Sequence, residues 1–362
     1  MNSQHDIRLA LPGKGTLESA TLAFLAECGL KVNRSNPRQY LAHMRSMPGI
    51  EVVFQRAADI PTLVQDGDAA LGITGYDILA EHRGYGDDEQ GEEDSSDELI
   101  MLERDLGFGQ CRLVVAVPET WVDVSTPADL WHLAGYYRSH KGQNLRIATK
   151  YPRLTTHFLR QHGITHYKLV SPHGALEAAP LTDTADLIVD LTETGTTLRE
   201  NHLKLLDDGV VLRSQACLIA NARMLRQHEA ALSIVSTMLE LIEARMQARN
   251  CSLLTAQLQG EQTAIQLVCS HLNQRIQQLQ PGVEFHPVSS SLSGEHPASA
   301  FTSTYTISGV INARDSAADL LSIVALIRNA GATHIHITPM TYRFAEESTS
   351  VRALRERLKR FH

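Results

Sequence analysis

The sequence predicts an α/β protein, an open α/β sheet followed by a smaller βαββαβ sandwich. Three observations carry this reading. Up to about residue 220, short apolar runs of strand length alternate with helical stretches. Residues 223–249 then repeat apolar side chains at intervals of three, four and seven, the period of one long amphipathic helix. From Cys251 onward the runs follow the order strand, helix, strand, strand, helix, strand.

Each element has its own signal. Ile7–Leu11 is the first strand, and a Gly-rich turn, Pro12–Gly15, leads into a helix from Leu17 with Leu22, Leu25 and Ala26 on one face. Glu51–Phe54 is a strand, Ile60–Asp66 a short helix, and Ala69–Thr74 a buried strand ending at Gly75. Cys111–Val117 is an apolar strand closed by Pro118. Arg146–Thr149 (strand), Leu154–His162 (helix), Tyr167–Val170 (strand) and Leu187–Asp190 (strand) continue the alternation. A helix is expected from Thr196 to about Leu206, with strand character resuming at Val210–Leu212 and Cys217–Ala220. The long helix carries Leu225, Leu232, Val235, Leu239, Ile242 and Met246 along one side.

Beyond it, Ser252–Leu258 is a strand, Thr263–Leu279 a helix stopped by Pro281-Gly282, and Val283–Ser293 extended. Thr304–Ile311 alternates polar and apolar residues, as a half-buried strand does. Ala317–Ala330 is a helix ended by Gly331, and His334–Thr338 the last strand. This order is the ferredoxin-like sandwich, a common frame for small-ligand regulatory domains. His334 and His336 share one face of the last strand and are read as part of a surface at a dimer contact rather than as metal ligands. A basic amphipathic tail follows, with Val351, Leu354, Leu358 and Phe361 along one side. Its narrow stripe suits packing on a neighbour better than a membrane.

Composition narrows the function classes. A chain of 362 residues suggests two or three domains. It is 43% hydrophobic and 20% charged, ordinary for a folded protein. No membrane span is expected, since no apolar run reaches about 18 residues. The N-terminus lacks the basic, apolar, small-residue series of a signal peptide. The five cysteines are odd in number and scattered, with no C-x-x-C, so neither disulfides nor structural zinc are expected and a cytoplasmic location fits. Residues 86–98 hold eight acids and no base, which accounts for the whole net charge of −8. They read as a solvated insertion, and the neutral remainder lacks the basic footprint of a nucleic-acid binder.

The most informative stretch is Asp186–Leu198, DLIVDLTETGTTL. A buried strand through Val189 delivers acidic side chains at its carboxyl end, a Thr-Gly-Thr-Thr turn follows, and a helix starts. Backbone N–H groups of such a turn point at one spot and suit a phosphate. The hydroxyls of Thr194, Thr196 and Thr197 add donors without charge, and Gly195 lets the backbone come close. Asp190 or Glu193 is then placed to accept hydrogen bonds from ribose hydroxyls. The same turn is also ordinary helix capping. The spacing of a Walker loop is absent.

Other runs join this one: Ala70-Leu-Gly-Ile-Thr-Gly-Tyr-Asp77, Asp105–Leu113, Arg146–Leu154, Gly174–Pro180, Arg199–His202 and Arg213–Ile219. Together they span residues 6–222, and the sequence resembles ATP phosphoribosyltransferase of histidine biosynthesis in its long form. The resemblance implies two lobes like those of type II periplasmic binding proteins, with the active site in their cleft. Residues 1–107 and 205–248 would form lobe I, 108–204 lobe II, and 249–362 a regulatory domain with its tail helix. It implies condensation of ATP with 5-phosphoribosyl 1-diphosphate to phosphoribosyl-ATP and diphosphate, Mg²⁺ as cofactor without a dedicated metal cage, inhibition by histidine, and a homo-oligomer, dimer or hexamer.

By the same resemblance, Asp186 and Thr194 to Leu198 would hold the phosphoribosyl group, with Asp190, Glu193 and Glu177 as catalytic carboxylates. Lys14, Gly15, Arg56, Gly75, Tyr76, Asp77, Arg112 and Lys150 would meet ATP or diphosphate. One departure stands out. Where the family usually has Lys-Gly-Arg-Leu, this chain has Gly13-Lys14-Gly15-Thr16-Leu17, so a forked guanidinium is lost and Lys14 is the nearest cation. Two other readings stay open on sequence alone: a two-lobed sensor that binds a small anion without turnover, and an inactive paralogue serving as a regulatory subunit.

Overall fold

A computed structural model of the chain describes residues 7–36, 38–84, 98–171, 174–279, 283–289, 303–312 and 317–360. The acidic stretch 86–98, apart from Glu98, lies outside the described residues, as do Pro281, Gly282, 290–293 and Phe361. The chain forms two compact units, Met1–Leu239 with Thr349–His362, and Glu240–Ser348.

The first unit contains two α/β lobes. The first lobe runs β1 (Ile7–Pro12), α1 (Thr16–Glu27), β2 (Val32–Asn33), β3 (Leu41–Met44), β4 (Ile50–Gln55), α2 (Ile60–Gln65), β5 (Leu71–Gly75), α3 (Tyr76–Arg83) and β6 (Leu99–Glu103). The second follows with β7 (Cys111–Pro118), α4 (Pro127–Lys141), β8 (Leu145–Thr149), α5 (Pro152–Gln161), β9 (Tyr167–Val170), β10 (Leu187–Thr192), α6 (Thr196–Glu200) and β11 (Leu203–Ser214). The chain then re-enters the first lobe with β12 (Ala216–Asn221), continuing into α7 (Ala222–Gln227) and α8 (Glu229–Ala248).

The sheets are ordered β2-β3-β4-β1-β5-β12-β6 and β11-β7-β10-β8-β9. In each, three parallel strands are continued by an antiparallel strand that has just crossed from the other lobe, β12 in one and β7 in the other. That is the strand order of type II periplasmic-binding-protein lobes. The inner parallel strands β1, β5 and β8 are largely buried and read as mostly apolar runs, as doubly covered strands do.

Several boundaries differ from the sequence expectation. The return crossing lies at Gln215, not near residue 205, because Leu203–Ser214 pairs antiparallel with β7 and buries Leu203, Leu206 and Leu212. This pairing overrides helix propensity, so the helix expected from Thr196 to Leu206 stops at Glu200. The helix expected over 223–249 is broken at His228, whose φ of −127° and ψ of 96° are extended. In α1 the buried residues are Thr21, Phe24 and Leu25, while Ala26 is exposed. The β2–β3 hairpin, α3, β6 and α4 are additional elements.

The second unit is β13 (Cys251–Gly260), α9 (Gln262–Leu279), β14 (His286–Ser289), β15 (Ser303–Asn312), α10 (Ala317–Asn329) and β16 (Thr333–Pro339). Its sheet order, β14-β15-β13-β16, is the ferredoxin-like one. Leu254, Ala256, Phe285, Ile307 and Ile323 form part of its core. His334 and His336 are exposed on β16. The last helix, α11 (Thr349–Arg360), was grouped with this domain in the sequence reading but belongs to the first unit. It packs on α7 and β6, buries Leu354 and Leu358, and hands the Arg357 guanidinium to the Met101 carbonyl. Among the described residues no helix is long and apolar enough to cross a membrane, and all five cysteines are free.

One buried side chain ties three elements of the first lobe together. Asn221, at the end of β12, donates to the carbonyl oxygens of Val64 (2.8 Å) and Gln65 (3.1 Å), which end α2. Its Oδ1 accepts the Met224 N–H at 2.9 Å and so caps α7. Asn221→Ala removes the cap and takes the side-chain donor from the Gln65 carbonyl, while Val64 keeps the Gly67 N–H, so urea unfolding should show a loss of about 1–3 kcal/mol.

Candidate active site

The two lobes enclose a cleft of about 440 Å³. Thr16 and Leu17 at the start of α1 line it, with Gly75 and Asp77 at the β5–α3 junction. The second lobe contributes Cys111, Tyr151 and Leu191–Glu193.

Asp77 is the structural centre of this cleft. It is 3% exposed, and both of its oxygens are engaged. Oδ1 accepts from the Ser214 hydroxyl at 2.6 Å, and Oδ2 accepts from the Tyr151 phenol at 2.7 Å. The Ser214 oxygen in turn accepts the Asp77 N–H at 2.9 Å. A Cβ at Gly75 would run into the Asp77 carboxylate, so no larger residue fits beside this node. Burial first, and the Asp77 charge second, push the Tyr151 phenol well above its usual range. The same two causes push the Cys111 thiol up to about 11. Both groups therefore stay protonated at neutral pH.

The β10 strand carries the second cluster. Asp190 lies next to the loop, and its Oδ1 accepts the Leu191 N–H at 2.8 Å. Burial raises its carboxyl above the usual value, Lys150 lowers it, and Glu177 raises it again. Glu177, on a single helical turn over Leu176–Ala178, and Lys150 therefore both act on Asp190. The loop closes when the Thr192 hydroxyl accepts the Gly195 N–H at 2.8 Å. Gly195 sits at φ 77°, ψ 5°, a left-handed conformation that admits glycine readily. The Thr194 and Thr196 hydroxyls are 2.9 Å apart. Leu198 is 3% exposed and anchors α6 on Leu176, Ala179 and Ile188.

Four cations lie on the elements that carry these clusters or on the neighbouring strand ends. Arg112 is paired opposite Thr192 in the β7–β10 ladder, on the sheet face that carries Asp190. Lys14 and Arg56 follow the carboxyl ends of β1 and β4, where ligands settle in open α/β sheets. The side chains of Lys14, Arg56, Arg112 and Lys150 have no hydrogen-bond or ion-pair partner among the described residues.

Comparison with known proteins fits this geometry. Residues 56–244 match the family model of ATP phosphoribosyltransferase. An ATP phosphoribosyltransferase of Brucella melitensis is 43% identical over 244 residues, covering 67% of this chain and 97% of that protein. One from Brucella anthropi is 43% identical over 232 residues, 64% of this chain and 96% of that one. This chain belongs to the ATP phosphoribosyltransferase family. A solved ATP phosphoribosyl transferase (HisG:HisZ) complex from Thermotoga maritima is 28% identical to it, with a TM-score of 0.48, covering 66% of this chain and 98% of that one.

Within this ATP phosphoribosyltransferase chain the residues expected from sequence fall into three groups. Asp190, Glu193, Glu177, Thr194–Thr197, Arg112 and Lys150 gather around the β10 loop, and Lys14, Gly15, Arg56 and Gly75 around the strand ends of the first lobe. Asp77, which lines the cleft, and Tyr76 have partners within the protein. Asp77 is spent on Ser214 and Tyr151, and Tyr76 is 7% exposed beneath the Arg104 guanidinium, 4.6 Å from its ring centroid.

Asp186 lies apart from the loop. It precedes β10, about 20 Å of strand away from the loop. There its carboxylate accepts the Arg146 backbone N–H at 2.7 Å and pairs with the Arg146 guanidinium at 2.9 Å. The Leu198 side chain is buried in the core of the second lobe. Cys111, Tyr151, Thr192 and Ser214 were not singled out by sequence, and Thr16 only as the departure from the family pattern. For Tyr151 a signal existed, since Pro152 marks a helix start and places Tyr151 at its N-cap.

The raised carboxyl of Asp190 has a consequence for stability. Its folded-state pKa lies above the ordinary 3.8, so the fold disfavours the charged form. The penalty is absent below the unfolded value and complete once pH exceeds the folded one. Asp190→Asn, which keeps the Leu191 bond, should therefore raise the melting temperature at pH 7. The gain should shrink toward about pH 4 in thermal melts.

Proposed function

We propose that this chain is an ATP phosphoribosyltransferase that joins adenine N1 of ATP to ribose C1 of 5-phosphoribosyl 1-diphosphate. The products are phosphoribosyl-ATP and diphosphate, the first step of histidine biosynthesis. The observation that carries this reading is the left-handed Gly195 loop at the carboxyl end of β10, with Asp190 beside it and Arg112 on the same sheet face.

The loop N–H groups and the hydroxyls of Thr194, Thr196 and Thr197 receive the 5-phosphate. Asp190 and Glu193 accept hydrogen bonds from the ribose hydroxyls. As the leaving group departs, positive charge grows on the ribose ring, and Asp190, Glu193 and Glu177 stabilise it. Arg112 and Lys150, with Lys14 and Arg56 on the other lobe, meet the phosphates of the two substrates. Protonated Tyr151 and Cys111 offer no nucleophile, which fits direct displacement by the adenine nitrogen. Most of the acceleration then comes from alignment of two bound substrates.

Mg²⁺ is the cofactor in this reading. Among the described residues no three His, Cys, Asp or Glu side chains converge as a metal site. The donors beside the loop, Asp190 and Glu193, are hard carboxylates that suit an ion carried mainly by substrate oxygens. When bound, the ion neutralises charge on the departing diphosphate.

The second unit is the regulatory domain in this reading, with histidine as inhibitor. It holds a cavity of about 710 Å³ whose lining includes Arg249, Glu284, His286, Asn312 and Arg343, both signs of charge that a zwitterion needs. A cytoplasmic homo-oligomer, dimer or hexamer, completes the proposal.

Incubating the full chain with ATP, phosphoribosyl diphosphate and Mg²⁺ should yield phosphoribosyl-ATP, followed by its ultraviolet absorbance. Absence of product between about pH 6 and 9 refutes the transferase reading. Asp190→Ala should cut kcat by about 10²-fold, the size of one lost charge-stabilising group. Histidine added to the same assay should lower the rate. An unchanged rate refutes the regulatory assignment and leaves the transferase one standing.

A further inference from the structure

The N-terminus of α5 is capped from the other lobe. Pro152, its first residue, has no N–H, so the first donors in need of a partner are the N–H groups of Arg153 and Leu154. Helices usually meet these with Ser, Thr, Asp or Asn at the N-cap. Here the N-cap is Tyr151, whose phenol reaches across to Asp77 instead. Glu81 of α3 supplies the missing cap. Its Oε1 accepts the Arg153 N–H and its Oε2 the Leu154 N–H, each at 2.9 Å.

Asp77 and Glu81 are four residues apart, so one face of α3 makes both contacts. The exchange is reciprocal, since the Arg153 guanidinium donates to the His82 carbonyl in the last turn of α3. An anion meets the positive end of one helix and a cation the negative end of the other. Burial pushes the Glu81 carboxyl up, against the two N–H bonds and the Arg153 charge. Glu81 is not among the residues that line the cleft.

We propose that Glu81 is a positioning residue for the transfer reaction: by capping α5 from α3 it sets the spacing of the two lobes and so aligns the two substrates. The inference rests on the transferase reading above, with the phosphoribosyl group on the second lobe and ATP on the first. A displacement of about 1 Å between reacting groups can cost on the order of 10²-fold in rate. Binding of one substrate to one lobe does not depend on that spacing.

The test uses the full-length chain and two variants. Glu81→Gln keeps the shape but loses the charge and one acceptor. Glu81→Asp keeps the charge on a shorter arm, and serves also if the first variant fails to fold. Four quantities are read: kcat, the Kd of phosphoribosyl diphosphate with Mg²⁺ alone, hydrogen exchange at the Arg153 and Leu154 amides, and the radius of gyration from X-ray scattering. In Glu81→Gln, kcat should fall at least about tenfold while that Kd stays within about twofold. The two amides should lose protection and the radius of gyration should rise, with Glu81→Asp recovering part of each. Full kcat despite unprotected amides overturns the proposal. So does a Kd that weakens in step with kcat, as general damage would produce. If the unsubstituted chain has no activity, the transferase reading fails, and scattering and exchange still decide the seam: lost protection with unchanged scattering overturns it.

Discussion

A carboxylate that is 3% exposed needs hydrogen-bond donors in place of water, and the first unit is organised around that requirement at Asp77. Its partners come from far along the chain. Ser214 closes β11 just before the return crossing, and Tyr151 opens α5. Satisfying one acid therefore fixes three segments, a helix start in each lobe and the strand by which the chain comes back. The cleft is the space left around that node. Burial first and this charge second push the Tyr151 phenol and the Cys111 thiol further up.

The β10 loop is built on the opposite principle. Its carboxylate is held under-compensated, since burial and Glu177 oppose Lys150 and a single backbone bond. The cations nearby are likewise left without partners among the described residues. A surface built for stability would pair these charges with one another. Kept apart, they form a field that fits a substrate carrying phosphates at one end and developing positive charge at the other.

Much of the fold was legible because strands inside a sheet write themselves as largely apolar runs: Ile7–Leu11, Ala69–Thr74 and Cys111–Val117 all lie in or over observed strands, as does the edge run Tyr167–Val170. Edge elements were not. The β2–β3 hairpin has strands of only two and four residues, and α4 mixes apolar and polar residues on all sides. Helix propensity misled beyond Thr196, where long-range pairing with β7 decides the outcome. In the site, the loop and its neighbours were legible from residue types at the end of a buried strand. The partners of Asp186 and Asp77 were not legible for one reason. An isolated carboxylate in a sequence does not reveal whether Arg146, 40 residues away, or Ser214, 137 residues away, has already claimed it.

The placement of α11 makes the second unit an insertion, tethered to its host at both ends. A stop codon near residue 250 would thus do two things at once. It would delete the ferredoxin-like unit, and it would strip Leu354 and Leu358 from the surface formed by α7 and β6, baring apolar ground that invites aggregation. Excising the insertion and splicing its two stems keeps that cover in place, and only such a deletion separates what the unit contributes from what the last helix protects.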